Sequence, residues 1–456
     1  MNAELSGLPA TDALTGFTIG VDFAHLPGRL TDTLRACFLD FLGVASYASI
    51  AADGSAELRA AVQTLNPEGG THTAIANKKK YAAQYAALLN GTYAHTLDFD
   101  DTNQTGLLHP GTVVIPAALA AAESVDADGR DFLTALAVGY EVACRIGAGL
   151  GKTIYDRGFH PTAIAGLFGA TAAAAKLMNM DGSTLTNAFG FCGSMAAGSM
   201  QFLESGSLNK RLHAGLAAHN ALVALALAQS GLRGSAKAIE GEQGLLKNYS
   251  NEPIPENVTK DLGETWYASE TAIKPYPSCR LTHAVIDAMF ALRKSARSGT
   301  DAPHIHISLS PQAFHIVGER ADHKLRPRSL VDAQFSVYFQ AAIAWTQGRA
   351  DWESYRLIGD SKIEAFADTI FVQSDPGLAL NSAIVRVENG APPMRIDYPL
   401  GEPENPLTWG HIETKFVSLA EHAYDQSTLD EIASSVRRLG YMRSMKTFAR
   451  LLQVGS

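Results

Sequence analysis

His95-Thr-Leu-Asp98-Phe-Asp100-Asp101-Thr102-Asn-Gln-Thr-Gly-Leu-Leu-His109-Pro110-Gly111 lies between two Ala-rich apolar segments, Tyr81 to Ala94 and Val113 to Ser124. Both flanks read as helices, and helices do not need three carboxylates and two imidazoles in order to pack. The stretch is therefore expected to be a helix end and loop that carries acid/base groups on a rigid helical frame. Asn90-Gly91 is read as the stop of the first helix.

Working outward, Thr31 to Tyr47 places Leu34, Cys37, Phe38, Phe41, Leu42 and Ala45 on a helical repeat. Asp131 to Gly147, Thr162 to Met178, Leu185 to Gly198 and Leu212 to Ala228 are apolar on more than one face, as expected of helices buried among helices. Runs of small residues, Ala170 to Ala175 and Ala217 to Ala228, allow close helix approach. No apolar span of about twenty residues is free of polar groups, which favours a packed helical domain over a membrane bundle.

Near residue 270 the pattern changes. His304 to Leu309, Ala383 to Asn389 and Met394 to Tyr398 alternate as strands do, with helical stretches at Ser336 to Thr346 and Lys362 to Ala367 between them. Ile412 to His422 and Thr428 to Leu439 are helical again. The expected fold is mainly α: a large all-α helical domain built from residues 1–270 plus 405–456, with a smaller α+β domain, 271–404, inserted into it.

At 456 residues the chain is long enough for two cores, and 46% apolar residues suffice to fill them. A net charge of −9 without a basic run argues against nucleic acid or an anionic membrane as partner. Cys37, Cys144, Cys192 and Cys279 are widely spaced, which indicates neither a zinc site nor a disulfide framework and suits a reducing compartment. Met1 to Gly20 has no Lys or Arg, so no targeting segment is read there and a cytoplasmic location is expected.

Ile146 to Thr153 imitates a phosphate loop, but Ile146 stands where glycine is required and a helix precedes it, so no nucleotide cofactor is implied. The carboxylates and imidazoles between His95 and His109 are possible metal ligands, although their spacing fits no metal template. Further along, Gly158-Phe-His160-Pro-Thr places an imidazole before a helix start. Lys210-Arg211-Leu-His213 heads an apolar helix, and Lys274-Pro-Tyr-Pro-Ser-Cys279-Arg280-Leu-Thr-His283 marks the domain junction. Concentrated cations and imidazoles in an acidic chain point to a carboxylate pocket able to move protons.

Taken together and in order, these four motifs resemble the signatures of the MmgE/PrpD family, over about Leu34 to Leu419. The resemblance implies a helical domain with an α+β lid, no metal or other cofactor, and a homodimer. It implies a lyase acting on a small di- or tricarboxylate, foremost dehydration of a 2-methylcitrate-like substrate. Epimerisation or cis-aconitate-type decarboxylation is the alternative, and an inert carboxylate-binding homologue is the alternative of another class.

Carried over by motif, the catalytic residues are His109, His160, Asp98, Lys210 and Lys274, with Thr102, Arg211, Cys279, Arg280 and His283 binding substrate. In that scheme Lys210, Lys274 and Arg280 hold carboxylates, His160 and His109 move protons, and Asp98 with Thr102 orients a histidine. Asp100 and Asp101 are expected to be structural. Two departures count against decarboxylation: Cys279 stands where the decarboxylases place a histidine, and Tyr338-Phe339 stands where the family has proline and tyrosine.

Overall fold

The computed structural model describes residues 7–205, 207–295, 304–388 and 392–454, and it is a mainly helical fold, 61% helix, with small embedded sheets. The chain divides into two compact units, one ending at Ile273 and resuming at Thr408, the other Lys274–Leu407.

The first unit begins with α1 (Ala10–Gly20), α2 (Gly28–Ala51) and α3 (Ser55–Leu65). After the short strands β1 (His72–Thr73) and β2 (Lys80–Tyr81) come α4 (Ala83–Thr96), β3 (Thr102–Asn103), α5 (Gly111–Val125), α6 (Gly129–Leu150), α7 (Pro161–Leu177), α8 (Gly182–Met195), α9 (Asn209–Gln229) and β4 (Thr271–Ala272). β3 and β4 pair antiparallel, with Thr102 opposite Ala272.

Asn90-Gly91 does not stop α4, contrary to the sequence expectation. The Asn90 amide is occupied elsewhere, donating to Thr73 O at 2.9 Å while its Oδ1 accepts from Ile75 N at 2.8 Å. Gly91 is in the helix because α9 crosses there: a Cβ on Gly91 would stand 3.0 Å from Gly215 Cα, and one on Gly215 only 2.1 Å from Thr92 Oγ1 and 2.3 Å from Leu88 O. This crossing fixes the head of α9 beside the end of α4. Gly215→Ala is therefore expected to cost about 2–3 kcal/mol of stability, read as a lowered urea midpoint at unchanged slope.

Three helices, α2, α6 and α9, are long and apolar enough to cross a membrane by length and composition, more than the sequence expectation allowed. The buried charges of α6 are matched inside the unit. Glu141 pairs with Arg145 at 2.6 Å within α6, and Arg145 also donates to Lys260 O and Thr265 O. The apolar stretch of α6 is wholly buried, whereas only half of that of α9 is buried.

The second unit contains α10 (His283–Ser295), β5 (Ile305–Leu309), α11 (Val337–Gln347), α12 (Ser361–Asp368), β6 (Ile370–Ser374), β7 (Ala383–Val387) and β8 (Met394–Ile396). The sheet order is β6-β5-β7-β8, with β5 parallel to β6 and antiparallel to β7. Ile305, Ile307 and Leu309 face a core shared with Val285 and Met289 of α10 and Val337 and Ala341 of α11. β6 escapes a reading by alternation because only Ile370 of it is buried. Asn389, which the sequence places at a strand end, lies outside the described residues.

The chain then returns to the first unit as α13 (Trp409–Ala420), α14 (Gln426–Arg437) and α15 (Met445–Leu451). Lys415 of α13 pairs with buried Asp40 of α2 at 2.5 Å and donates to Phe99 O at 2.7 Å. The C-terminal helices thus brace the loop that follows α4.

Candidate active site

Four helix ends supply the site. His95 is on the last turn of α4, His109 stands just before α5, His160 precedes Pro161 at the start of α7, and Lys210 and His213 are on the first turns of α9. The rings of His95 and His109 meet edge-on at 4.9 Å, His95 stacks on His160 at 5.6 Å, and His160 lies 5.4 Å from His213. The first turns of α5, α7 and α9 therefore converge on a cluster of four imidazoles.

Asp100 is the carboxylate of this cluster. Its Oδ2 lies 2.7 Å from His95 Nδ1 and 3.0 Å from His109 Nδ1. Burial works against the charge of Asp100, but the His109 and His95 rings outweigh it and hold the carboxyl well below the usual range. The sequence reading, which made Asp100 structural and gave the orienting role to Asp98, is thus replaced for Asp100. Asp98 adopts a left-handed conformation, φ 52°, and pairs with Lys210 Nζ at 2.9 Å. Asp tolerates that conformation better than most residues.

Burial lowers the pKa of His95, an effect that Asp100 partly offsets. His160 is held well below its ordinary value by burial and by the charges of His95 and Lys210. His213 is pushed down to about 4 by burial, with His95 and Lys210 adding to it. A ring kept neutral at neutral pH retains a lone pair and can act as a base.

Asp101 faces the other way. Its Oδ2 accepts from Tyr140 OH at 2.7 Å and its Oδ1 from Gly111 N, the first residue of α5, at 3.0 Å. It thus caps a helix that begins ten residues later in the chain. Burial raises its pKa to about 7, despite the hydrogen bond from Tyr140, with Asp100 adding to the rise. A folded pKa above the unfolded one stabilises below the unfolded value, near 4, and that contribution is lost as pH rises through 7. Asp101→Asn is accordingly expected to gain on wild type, on the order of 2–4 kcal/mol, between pH 4 and pH 8, read by denaturation at both pH values.

His95, Asp100 and His109 offer ligand atoms within 4.8 Å of one another and form a candidate cation site. Imidazole and carboxylate suit such an ion. Hydrogen-bond distances to one shared oxygen account for the same proximity.

The other sequence-selected residues are distributed as follows. Arg211 turns away from its neighbour Lys210 and donates to Asp53 O at 3.3 Å. Thr102 is in β3. Lys274, Cys279, Arg280 and His283 belong to the second unit. There Arg280 donates to Glu402 at 2.8 Å and lies 3.0 Å from His283 Nδ1, while His283 Nε2 is 3.3 Å from Ser278 O. His95, Asp100 and His213, absent from the selected site, all stand inside the motifs that supplied it. The available signal was their place at helix ends.

Comparison with known proteins identifies the family. Residues 12–257 match the MmgE/PrpD N-terminal domain and residues 276–440 the MmgE/PrpD C-terminal domain. The chain is 28% identical over 409 residues to the cis-aconitate decarboxylase-like protein oryM of Aspergillus oryzae, covering 83% of this chain and 84% of that one. It is 25% identical over 430 residues to cis-aconitate decarboxylase of Aspergillus terreus, covering 86% and 85%. To the human cis-aconitate decarboxylase it is 32% identical over 218 residues, 46% of this chain and 44% of that one. With both domains matched over most of its length, this chain belongs to the MmgE/PrpD family, dehydratase- and decarboxylase-type enzymes acting on small carboxylates.

Proposed function

We propose that this protein is a metal-independent lyase for a small di- or tricarboxylate, dehydrating a 2-methylcitrate-like substrate by histidine acid/base catalysis. The supporting observation is the convergence of three long helix N-termini on four imidazoles and Lys210. Helix N-termini and a lysine favour an anion, and neutral imidazoles beside it supply bases. His160, buried and neutral, takes the proton from the carbon next to a carboxylate. His109, its Nδ1 3.0 Å from Asp100 Oδ2, protonates the leaving hydroxyl. Lys210 offsets the charge that develops on the substrate.

A second reading, decarboxylation of a cis-aconitate-like acid, is favoured by the names of the relatives above. Two features of the second unit speak for the first. Cys279 replaces a histidine, and the Tyr338 hydroxyl is committed to Gly318 O at 2.8 Å while Phe339 stacks on Tyr355 at 5.9 Å. Incubation with a panel of di- and tricarboxylates in D2O tests both readings. C–H exchange with formation of a conjugated double bond marks dehydration, release of CO2 marks decarboxylation, and loss of optical rotation marks epimerisation. Binding without any exchange overturns the enzyme reading. Chelation with EDTA is expected to leave the rate unchanged, and loss that zinc or magnesium restores would assign the His95–Asp100–His109 group to a metal.

We also propose a homodimer, as the family resemblance implies, and α9, only half of whose apolar stretch is buried and whose Leu216 is 40% exposed, supports it. Light scattering on the eluting protein reads its mass.

A further inference from the structure

The His160–His213 contact is unlike the others in the cluster. The two Nδ1 atoms stand 3.2 Å apart, and two ring nitrogens at that distance require one proton between them, with one ring donating and the other accepting. The tautomers are thereby linked. When His160 carries the Nδ1 proton, its Nε2 is a lone pair and His213 has its own proton on Nε2.

The surroundings fit a shared proton. Phe202 meets both rings edge-on, at 6.3 Å from His160 and 5.9 Å from His213, which closes the pair with an apolar wall. Gly198, whose carbonyl accepts from His160 N at 2.9 Å, has φ 152°, and a Cβ there would stand 3.6 Å from His213 Nδ1 and 2.9 Å from Ala163 Cβ. The two rings differ in exposure: His160 is 4% exposed, whereas His213 is half-buried.

We propose that His213 acts through His160 as the acceptor of its second proton, so that the pair works as one base and the positive charge comes to rest on the outer ring. This rests on the reading of His160 as the base. In the forward step the carbon-bound proton moves to His160 Nε2 and the His160 Nδ1 proton moves to His213 Nδ1. His160 is left neutral in the opposite tautomer, His213 becomes an imidazolium, and the electron pair of the broken C–H bond stays on the substrate. Protonation of the product reverses both transfers. The physical reason is solvation. A charge on His213 is also disfavoured by burial, but less so than one confined to the more deeply buried His160 ring among the other imidazoles. His213 is on this account a positioning residue, since the substrate meets His160.

His213→Gln tests the proposal, because its carbonyl still accepts from His160 Nδ1 but takes no proton. For whichever carboxylate of the panel wild type turns over, kcat is expected to fall about 10–100-fold with KM within about threefold. The dependence of kcat on the D2O fraction should change from curved, for two protons in transit, to linear, for one. An unchanged kcat, or a lower kcat with unchanged curvature, overturns the proposal. A substrate-free measurement stands beside it. In protein carrying 15N-histidine, one downfield ring proton should correlate with the Nδ1 atoms of both His160 and His213 and vanish in His213→Gln, and its absence from wild type overturns the proposal outright. If that proton is present but no carboxylate exchanges, the lyase reading fails while the shared proton stands.

Discussion

His160→Ala is expected to lower turnover by about 10²–10⁴-fold, the range for losing a positioned general base. His160 is buried and stacked on His95 at 5.6 Å, so no water in that position would have its orientation or basicity. The fall should appear in kcat, with KM little changed, because Lys210 and the helix N-termini that attract the anion remain. Burial, His95 and Lys210 all hold the His160 pKa below its ordinary value. The acid limb of the wild-type pH profile should therefore lie below pH 6.5 and not at it. Near-normal rates in this variant would remove His160 from the chemistry, and near-normal rates in Lys210→Ala as well would remove the whole assignment.

Asp100→Asn is expected to reduce turnover by about a hundredfold or more and to cost about 2–4 kcal/mol at pH 7. Asp100 Oδ2 faces the Nδ1 atoms of both His95 and His109. An amide oxygen in the place of Oδ2 still accepts from the rings but brings no negative charge to them. The folded pKa of Asp100 is depressed, so its contribution is present above the unfolded value near 4 and is lost as pH falls through the folded one. The penalty in Asp100→Asn should accordingly shrink below pH 4. Urea denaturation at pH 7 and pH 3, together with kcat at pH 7, decides it. Wild-type turnover would mean that His109 needs no carboxylate partner.

Much of the helical architecture was legible in the sequence. Asp131 to Gly147 and Thr162 to Met178 were recognisable by their period, and the structure extends the first to Gly129–Leu150 and shifts the second by one residue to Pro161–Leu177. The misreadings have local causes. Asn90-Gly91 looks like a stop because those residues commonly end helices, but Gly91 is inside α4 to admit Gly215 from a helix more than a hundred residues away. β6 lacks alternation because it is an edge strand with a single buried residue.

The site was legible as a set of motifs but not as a set of pairs. Three aspartates within four positions of an irregular loop have no periodicity from which their directions can be read. Asp98 turns to Lys210, Asp100 to two imidazoles, and Asp101 to Tyr140 and Gly111. The amino-acid sequence by itself determined the helical class, through apolar period and small residues, and the kind of chemistry, through which titratable groups it carries. Only the tertiary structure decided which carboxylate meets which ring and that His160 Nδ1 stands 3.2 Å from His213 Nδ1. Those pairings depend on crossings between distant helices, α4 with α9 at Gly91 and Gly215 above all, and a hydrogen bond is sensitive to tenths of an ångström that no sequence spacing encodes.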